Sequence, residues 1–523
     1  MNPAATREDA LAQVRRYHDS TKHTVASVYG SRHVLDWANQ PDPFRRYEGA
    51  PVALLSRTPA MPRTGTFAAL AQCDASRRES RAAVALDAER VSALLFHALA
   101  VSAWKQLQDD PSVRWSLRVN PSSGNLHPIE AHVIVRDGVD GLEVGVHHYR
   151  ADVHALELRA RGDVVPTSIG DGASVRIALT SIAWREAWKY RARALRYCML
   201  DAGHALGALL AAAAALGVEA RALFAFDDAA LAAALGVAGG DEVPVLVVSL
   251  GPTRSDAARA TPTAFLGTPN ELSEDVLEYI LLDLASKACA TPALDAGGAV
   301  QTTEMFPGAA ALVLPRSVPR DDAFAHVARR RRSAVEMDGR ARVGLEEFAA
   351  LMHHAQPRTA CDWMDATGRL ITLVAYVHRV DGVEPGAYAW RPDSGEIVRV
   401  KAGDQRAWAA SLSLGQEIAS HGVVAFSLIA DLERAFASFG ARGYRAAHVE
   451  AGCVGHALYL GAEALGLQAT GIGAFYDDDV HQHLGLTPQR GQVVYHFTVG
   501  RAVFDDRVVA STDPFRDPFR GAP

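Results

Sequence analysis

An α+β layered-sandwich fold built twice in one chain is what the sequence predicts, and three observations carry that prediction. The stretch from Arg193, RALRYCMLDAGHALGALLAAAAALGVEARALFAFDDAALAAALG, lies over the stretch from Arg442, RGYRAAHVEAGCVGHALYLGAEALGLQATGIGAFYDDDVHQHLG, at a constant offset of 249 residues. Upstream, GLEVGVHHYRAD from Gly141 lies over GVEPGAYAWRPD from Gly382, and ERVSALLFHA from Glu89 is similar to EEFAALMHHA from Glu346. Helical and strand patterns mix without strict βαβ alternation, and no GxGxxG follows a strand, which disfavours a Rossmann core. Two copies are therefore expected, at residues 1–255 and 310–523, joined by a linker over 256–309.

Each copy reads in the same order. In the first it gives a helix over Leu86–Ala100, a strand over Ala131–Val135, a strand near Val144–Tyr149 and a long Ala-rich helix over Arg193–Leu216. A short strand, a short helix and the final strand VPVLVVSLG follow. The offset matches Arg193 with Arg442, Arg196 with Arg445, Asp201 with Glu450, Gly203 with Gly452 and Asp228 with Asp477. Ala and Gly fill most faces of the long helix, so it belongs at the centre, and pairing of the copies through these helices is the natural extension. Between the copies, SEDVLEYILLDLASKA reads as one helix with Ser273 as candidate N-cap and acids in its first turn.

At 523 residues the chain exceeds one ordinary core, and 49% hydrophobic with 22% charged residues is a globular balance. Its 53 basic and 60 acidic residues leave a formal charge of −7, so no basic footprint for nucleic acid exists. The apolar run Ala205–Val218 stops at Glu219, short of the roughly 20 residues of a membrane span, and Met1–Arg16 has no signal-peptide core. A cytoplasmic protein without membrane partners is expected. The five cysteines form no CxxC pair, and the adjacent His353 and His354 point apart on a helix, so neither a disulfide framework nor a metal site is expected.

The residues suited to chemistry are distributed unequally. The first copy carries NPSSGNLHP, Asn120 to Pro128, ahead of a strand, where the second has DWMDATGRL from Asp362. Pro, Gly and paired serines make a tight loop whose N–H groups and hydroxyls suit an anion or a polar ring; a structural turn has the same composition. The second copy carries ARRRRSAVEM, in which Arg329 to Arg332 precede Ser333. Guanidinium groups beside a hydroxyl suit phosphate, while a solvated basic face is the alternative. Arg501 and Arg507 beyond the last strand are a second source of cations, and the first copy has only SLGPTR and RRESR from Arg77. WREAWKYRARALRY sets Lys189 beside Tyr190 ahead of the first long helix. Such a pair serves proton transfer if desolvation or charge lowers the lysine from about 10.4; otherwise it is a positive helix entrance. After the second long helix, Gly471 and Gly473 permit a flat ligand to approach the backbone, where the first copy has Phe224.

In combination, RRS before a helix, PSSxNxxP before a strand, DAGH on the long helix and GxxxFDD after it resemble the nitroreductase-like flavoenzyme family. Lys189–Tyr190 falls where the SagB-type (thiazoline/oxazoline) dehydrogenase branch carries its Leu-Lys-Tyr motif, and YHDSTKH from Tyr17 and VLDWANQPDPFRRY from Val34 resemble its N-terminal region. The resemblance implies two fused α/β/α sandwich domains forming a pseudo-dimer with FMN at the interface. The second copy would supply Arg331, Arg332, Ser333, Gly473, Ala474 and Arg501, and the first Pro121, Ser122, Ser123 and Asn125, to one intact site, leaving the reciprocal site empty. His127 stands where many nitroreductases have Gln, and Val335 where a further basic residue is common.

The implied activity is an FMN-dependent dehydrogenase, or oxidase, acting on a C–N or C–heteroatom bond of an azoline-like or peptide-derived substrate. Lys189 or Tyr190 would take or relay the proton while hydride passes to flavin N5. The alternatives are an NAD(P)H-dependent nitro- or quinone reductase and a flavin-free, partner-binding pseudoenzyme. A small-molecule or peptide substrate is the expected partner, with oligomerisation beyond the pseudo-dimer left open.

Overall fold

A computed structural model describes residues 3–31, 33–76, 84–110, 112–136, 138–164, 173–253, 262, 264–290, 304–509 and 514–515. The segment RRESR from Arg77 lies outside the described residues. Two seven-stranded antiparallel sheets repeat one strand order. In the first, the order across the sheet is Val52–Leu54, Ala155–Arg161, Gly145–Arg150, Ile129–Val135, Ala173–Ile182, Glu242–Thr253 and Ala220–Leu223. In the second it is Leu312–Val313, Glu396–Ala402, Gly386–Arg391, Ile371–Val377, Val424–Ala430, Gln492–Gly500 and Gln468–Ile472.

The strands Ala173–Ile182 and Val424–Ala430 were not anticipated from the sequence. Both are buried along their whole length. Val424–Ala430, VAFSLIA, is nearly all apolar and lacks the alternation that marks a strand, whereas Ala173–Ile182 does alternate, Ser174 and Arg176 with Val175 and Ile177.

Local chemistry starts the helices that frame the sheets. Asp87 caps Ala88–Ala98 by accepting from Arg90 N at 2.8 Å, and Glu347 reaches back to Gly344 N at 2.8 Å ahead of Leu345–Ala355. The linker helix differs from expectation. It runs Ile280–Cys289, and Ser273 does not cap it, because its hydroxyl donates to Asp275 O at 2.9 Å and accepts from Trp184 Nε1 at 2.8 Å.

The long helices Ala194–Ala215 and Gly443–Ala464 pack against each other at the centre. Their closest approach is at the paired glycines: a Cβ on Gly203 would lie 2.1 Å from Val449 O, and one on Gly452 2.1 Å from Leu200 O. Small residues are required here because the backbones touch. The helical run Ala183–Ala215 is long and apolar enough to cross a membrane, and 89% of its most apolar window is buried inside the protein.

The matched arginines and aspartates hold the copies together crosswise. Arg193 and Arg196 reach Asp477 at 3.3 and 2.7 Å, and Arg442 and Arg445 reach Asp228 at 2.6 and 2.7 Å. Pairing offsets the cost of burying these charges, and the two arginines hold the Asp477 carboxyl far below its ordinary range. Both ends of the chain cross over as well. His18, near the end of the N-terminal helix Pro3–Ser20, bonds Gln492 at 2.9 Å, and the C-terminal strand Val508–Val509 pairs with Val101–Gln106 of the first copy.

Candidate functional site

The loop Asn120–Pro128 joins the strands Arg114–Arg118 and Ile129–Val135. It turns through left-handed backbone at Gly124, Asn125 and His127, with φ of 59°, 60° and 51°. Asp201 of the central helix clamps it. One carboxylate oxygen accepts from Ser122 Oγ at 2.6 Å, the other from Ser123 Oγ at 2.9 Å, and the Ser123 N–H lies 3.1 Å from each. Both serine hydroxyls are thus directed to Asp201. Asn125 braces the loop by donating from Nδ2 to Ser116 O at 2.9 Å.

Arginines of the second copy meet this loop. The helix Phe324–Arg330 delivers Arg331, Arg332 and Ser333 into one cavity with Pro121, Ser122 and Asn125. Arg331 donates to the carbonyls of Val119 at 3.0 Å and Arg118 at 3.2 Å; Arg332 donates to those of Arg329 at 2.9 Å and Ser102 at 3.1 Å. Arg329 likewise bonds only carbonyls, those of Phe96 and Val101. Among the described residues none of the three forms an ion pair, and Arg331 Nη1 and Arg332 Nε are buried with no partner. Burial, with Arg331 and Arg329 adding to it, brings Arg332 down to about 9. Clustered, dehydrated guanidinium groups outside any ion pair have the chemistry to hold an anion. Ser333 Oγ shares a 2.8 Å hydrogen bond with Tyr459 Oη.

On the other side of the loop, the helix Ala183–Tyr190 presents Lys189 and Tyr190. Arg185 anchors it by donating to the carbonyls of His127 at 2.8 Å and Asp42 at 2.9 Å. The pair packs on Gly124, where a Cβ would lie 2.8 Å from Tyr190 Oη and 3.2 Å from Lys189 Nζ, so only glycine leaves room. Burial and the nearby Glu186, Tyr197 and Asp201 raise the Tyr190 hydroxyl well above the ordinary tyrosine value. The phenol is therefore a proton holder at neutral pH. Its ring lies 4.3 Å from that of Tyr197, whose hydroxyl donates to Gly473 O at 3.0 Å. That contact brings the second copy's Gly473 and Ala474 to the same place.

Arg501 and Arg507 stand apart. Arg501 is exposed beyond the strand Gln492–Gly500 and outside the cavity lining, and Arg507 is paired with Asp505 at 2.8 Å. Sequence reasoning quoted Asp201 without giving it a role and passed over Tyr197 and two residues that line the cavity, Arg118 and Lys105, the latter paired with Asp505 at 2.6 Å. Asp201 carried a signal, its match to Glu450, which grips the equivalent loop through Leu370 N at 2.9 Å and Ile371 N at 3.1 Å.

The pseudo-symmetric place is filled by protein. Phe224 and Ala225 correspond to Gly473 and Ala474, and their N–H groups both donate to Asp362, at 2.7 and 2.8 Å. Trp363, 1% exposed, packs its ring 5.6 Å from Phe224, which also lies 6.1 Å from Phe439. The helix Asp362–Thr367 thus packs directly against Phe224 and Ala225.

The Nitroreductase family profile matches residues 76–252 and 328–501. A protein of Methanocaldococcus jannaschii carrying the nitroreductase name, MJ1384, is 35% identical over 126 residues, 23% of this chain and 62% of that protein. The trifolitoxin-processing protein TfxB of Rhizobium leguminosarum bv. trifolii is 32% identical over 111 residues, 19% of this chain. The chain thus spans 62% and 30% of the lengths of these two relatives. A crystal structure from Anabaena variabilis described as a nitroreductase superposes with a TM-score of 0.73 at 26% identity, covering 94% of this chain and 99% of that one.

Proposed function

The chain belongs to the nitroreductase family, whose members are flavin oxidoreductases, and on that premise we propose that it is an FMN-dependent dehydrogenase of azoline-like or peptide-derived substrates. One observation carries the cofactor: dehydrated Arg331 and Arg332, each with one buried donor that has no partner and neither in an ion pair among the described residues, share a cavity with Pro121, Ser122 and Asn125. These residues fit a flavin phosphate, while the space beside Gly124 and Gly473 is taken by Lys189 and Tyr190 and by the Tyr197 ring. Similarity to a trifolitoxin-processing protein supports a peptide-derived substrate.

When bound, FMN supplies the acceptor for two electrons. The chain's own residues do the rest. Arg331, Arg332 and Ser333 would hold the phosphate, and Pro121, Ser122, Ser123 and Asn125 would border the same cofactor. Lys189 Nζ takes the substrate's proton, and Tyr190 Oη, beside it over Gly124 and keeping its own proton at neutral pH, donates a hydrogen bond to the reacting group.

The test is the absorbance spectrum and flavin content of the purified chain, expected at one FMN per chain because Asp362 and Trp363 fill the reciprocal place. Two per chain would contradict that filling, and none after reconstitution would leave a flavin-free binding protein. Rapid anaerobic bleaching by NADPH, without a peptide substrate, would instead favour a nitro- or quinone reductase.

Arg331→Met is expected to weaken FMN binding about 10- to 100-fold, since a hydrogen bond between two charged groups contributes roughly 1.5–3 kcal/mol. Titration of the apoprotein measures it. Affinity unchanged within twofold would remove the phosphate from this cavity.

A further inference from the structure

Behind the Lys189–Tyr190 pair lies a second carboxyl group that the proposed reaction does not use. Glu186 sits in the first turn of the helix Ala183–Tyr190, three and four residues ahead of Lys189 and Tyr190, so all three share one helix face. It is completely buried, and neither oxygen accepts a hydrogen bond. The hydrogen-bonding group it faces is the Asp201 carboxyl. Asp201 is already committed: its oxygens take both hydroxyls of Ser122 and Ser123 and the Ser123 N–H. Two carboxylates against each other in an apolar interior cannot both ionise. Asp201 accepts from three groups and Glu186 from none, so the proton belongs on Glu186.

We propose that Glu186 is a positioning residue of the redox site, a neutral acid that donates to Asp201 and so ties the helix bearing Lys189 and Tyr190 to the loop bearing Ser122 and Ser123. The inference rests on the flavin-dehydrogenase reading. The titratable groups around Glu186 are Asp201 and Cys198 of the central helix and Lys189 and Tyr190 of its own. Burial first, and then Asp201, hold Glu186 well above the ordinary carboxyl range, with Lys189 opposing. Burial also lifts Asp201 to about 7 against the pull of its serine donors. A neutral donor stabilises the clamp, whereas ionisation of Glu186 at high pH sets a second negative charge against Asp201. Activity is then lost on the alkaline side.

Glu186→Gln and Glu186→Leu test this. At a pH well above 7, where Asp201 is ionised, the infrared spectrum of the wild-type chain should show a protonated-carboxyl C=O band that Glu186→Gln removes. Glu186→Gln should hold FMN as the wild type does, oxidise a thiazoline-containing peptide within about threefold of the wild-type kcat at neutral pH, and lose the alkaline limb. Glu186→Leu should keep its flavin and lose about tenfold or more in kcat. The proposal is overturned if the band survives in Glu186→Gln, if the two pH profiles superimpose, or if Glu186→Leu turns over like the wild type. A wild-type chain that cannot take up FMN sinks the flavin reading instead, and the infrared band still decides the state of Glu186.

Discussion

Replacing Lys189 with Met or Tyr190 with Phe should lower the rate of flavin reduction by a thiazoline-containing peptide by about 10²–10⁴-fold, the usual range for a positioned proton-transfer group. Flavin content should stay at the wild-type level, because the buried arginines proposed to hold the phosphate lie on the far side of the Asn120–Pro128 loop. Tyr190→Phe keeps the ring and its 4.3 Å contact with Tyr197 while deleting only the proton-bearing oxygen. Lys189→Met keeps an unbranched stem against Gly124. Stopped-flow absorbance of the loaded enzyme separates the proton step from binding. If both variants reduce their flavin within tenfold of the wild-type rate, the proton is handled elsewhere. If both lose the cofactor, the pair belongs to the binding surface.

Trp363→Ala should cost about 3–5 kcal/mol of stability, the range for emptying a large aromatic from a core. Trp363 is among the largest fully buried side chains, and it seals the pseudo-symmetric place beside Phe224. The neighbouring Asp362 is pinned by two backbone N–H groups, so the helix Asp362–Thr367 cannot simply swing in to fill the void. Urea unfolding followed by tryptophan fluorescence and circular dichroism measures the loss, with flavin content as the control. A loss under about 1 kcal/mol would show that Trp363 does not fill this place. A rise toward two flavins per chain would show that the pocket survives behind it and that the copies are closer to equal than their loops imply.

The duplication, the central helices and the unequal endowment of the copies were legible in the sequence because each is local. Arg193, Arg196 and Asp228 match Arg442, Arg445 and Asp477 at one offset, and the structure gives the reason: each arginine pair spans to the other copy's aspartate, so neither half can change alone. The loop of paired serines and the arginine run could each be read as chemistry, since residue type alone limits what they can bind. Other features depended on distance. The central strand Val424–Ala430 escaped notice because burial on both faces removes the alternation that marks a strand.

Within one turn of helix, sequence sets Lys189 beside Tyr190, but only folding sets them on Gly124 and joins Tyr197 to Gly473. Nor does a run of four arginines disclose which ones lose water. Arg330 finds Glu463 at 2.6 Å, whereas Arg331 and Arg332 find only carbonyls. Desolvation is a property of everything packed around a group, contributed by residues hundreds of positions away, so the chain alone named the chemical groups and tertiary packing decided which of them are charged, dry and adjacent.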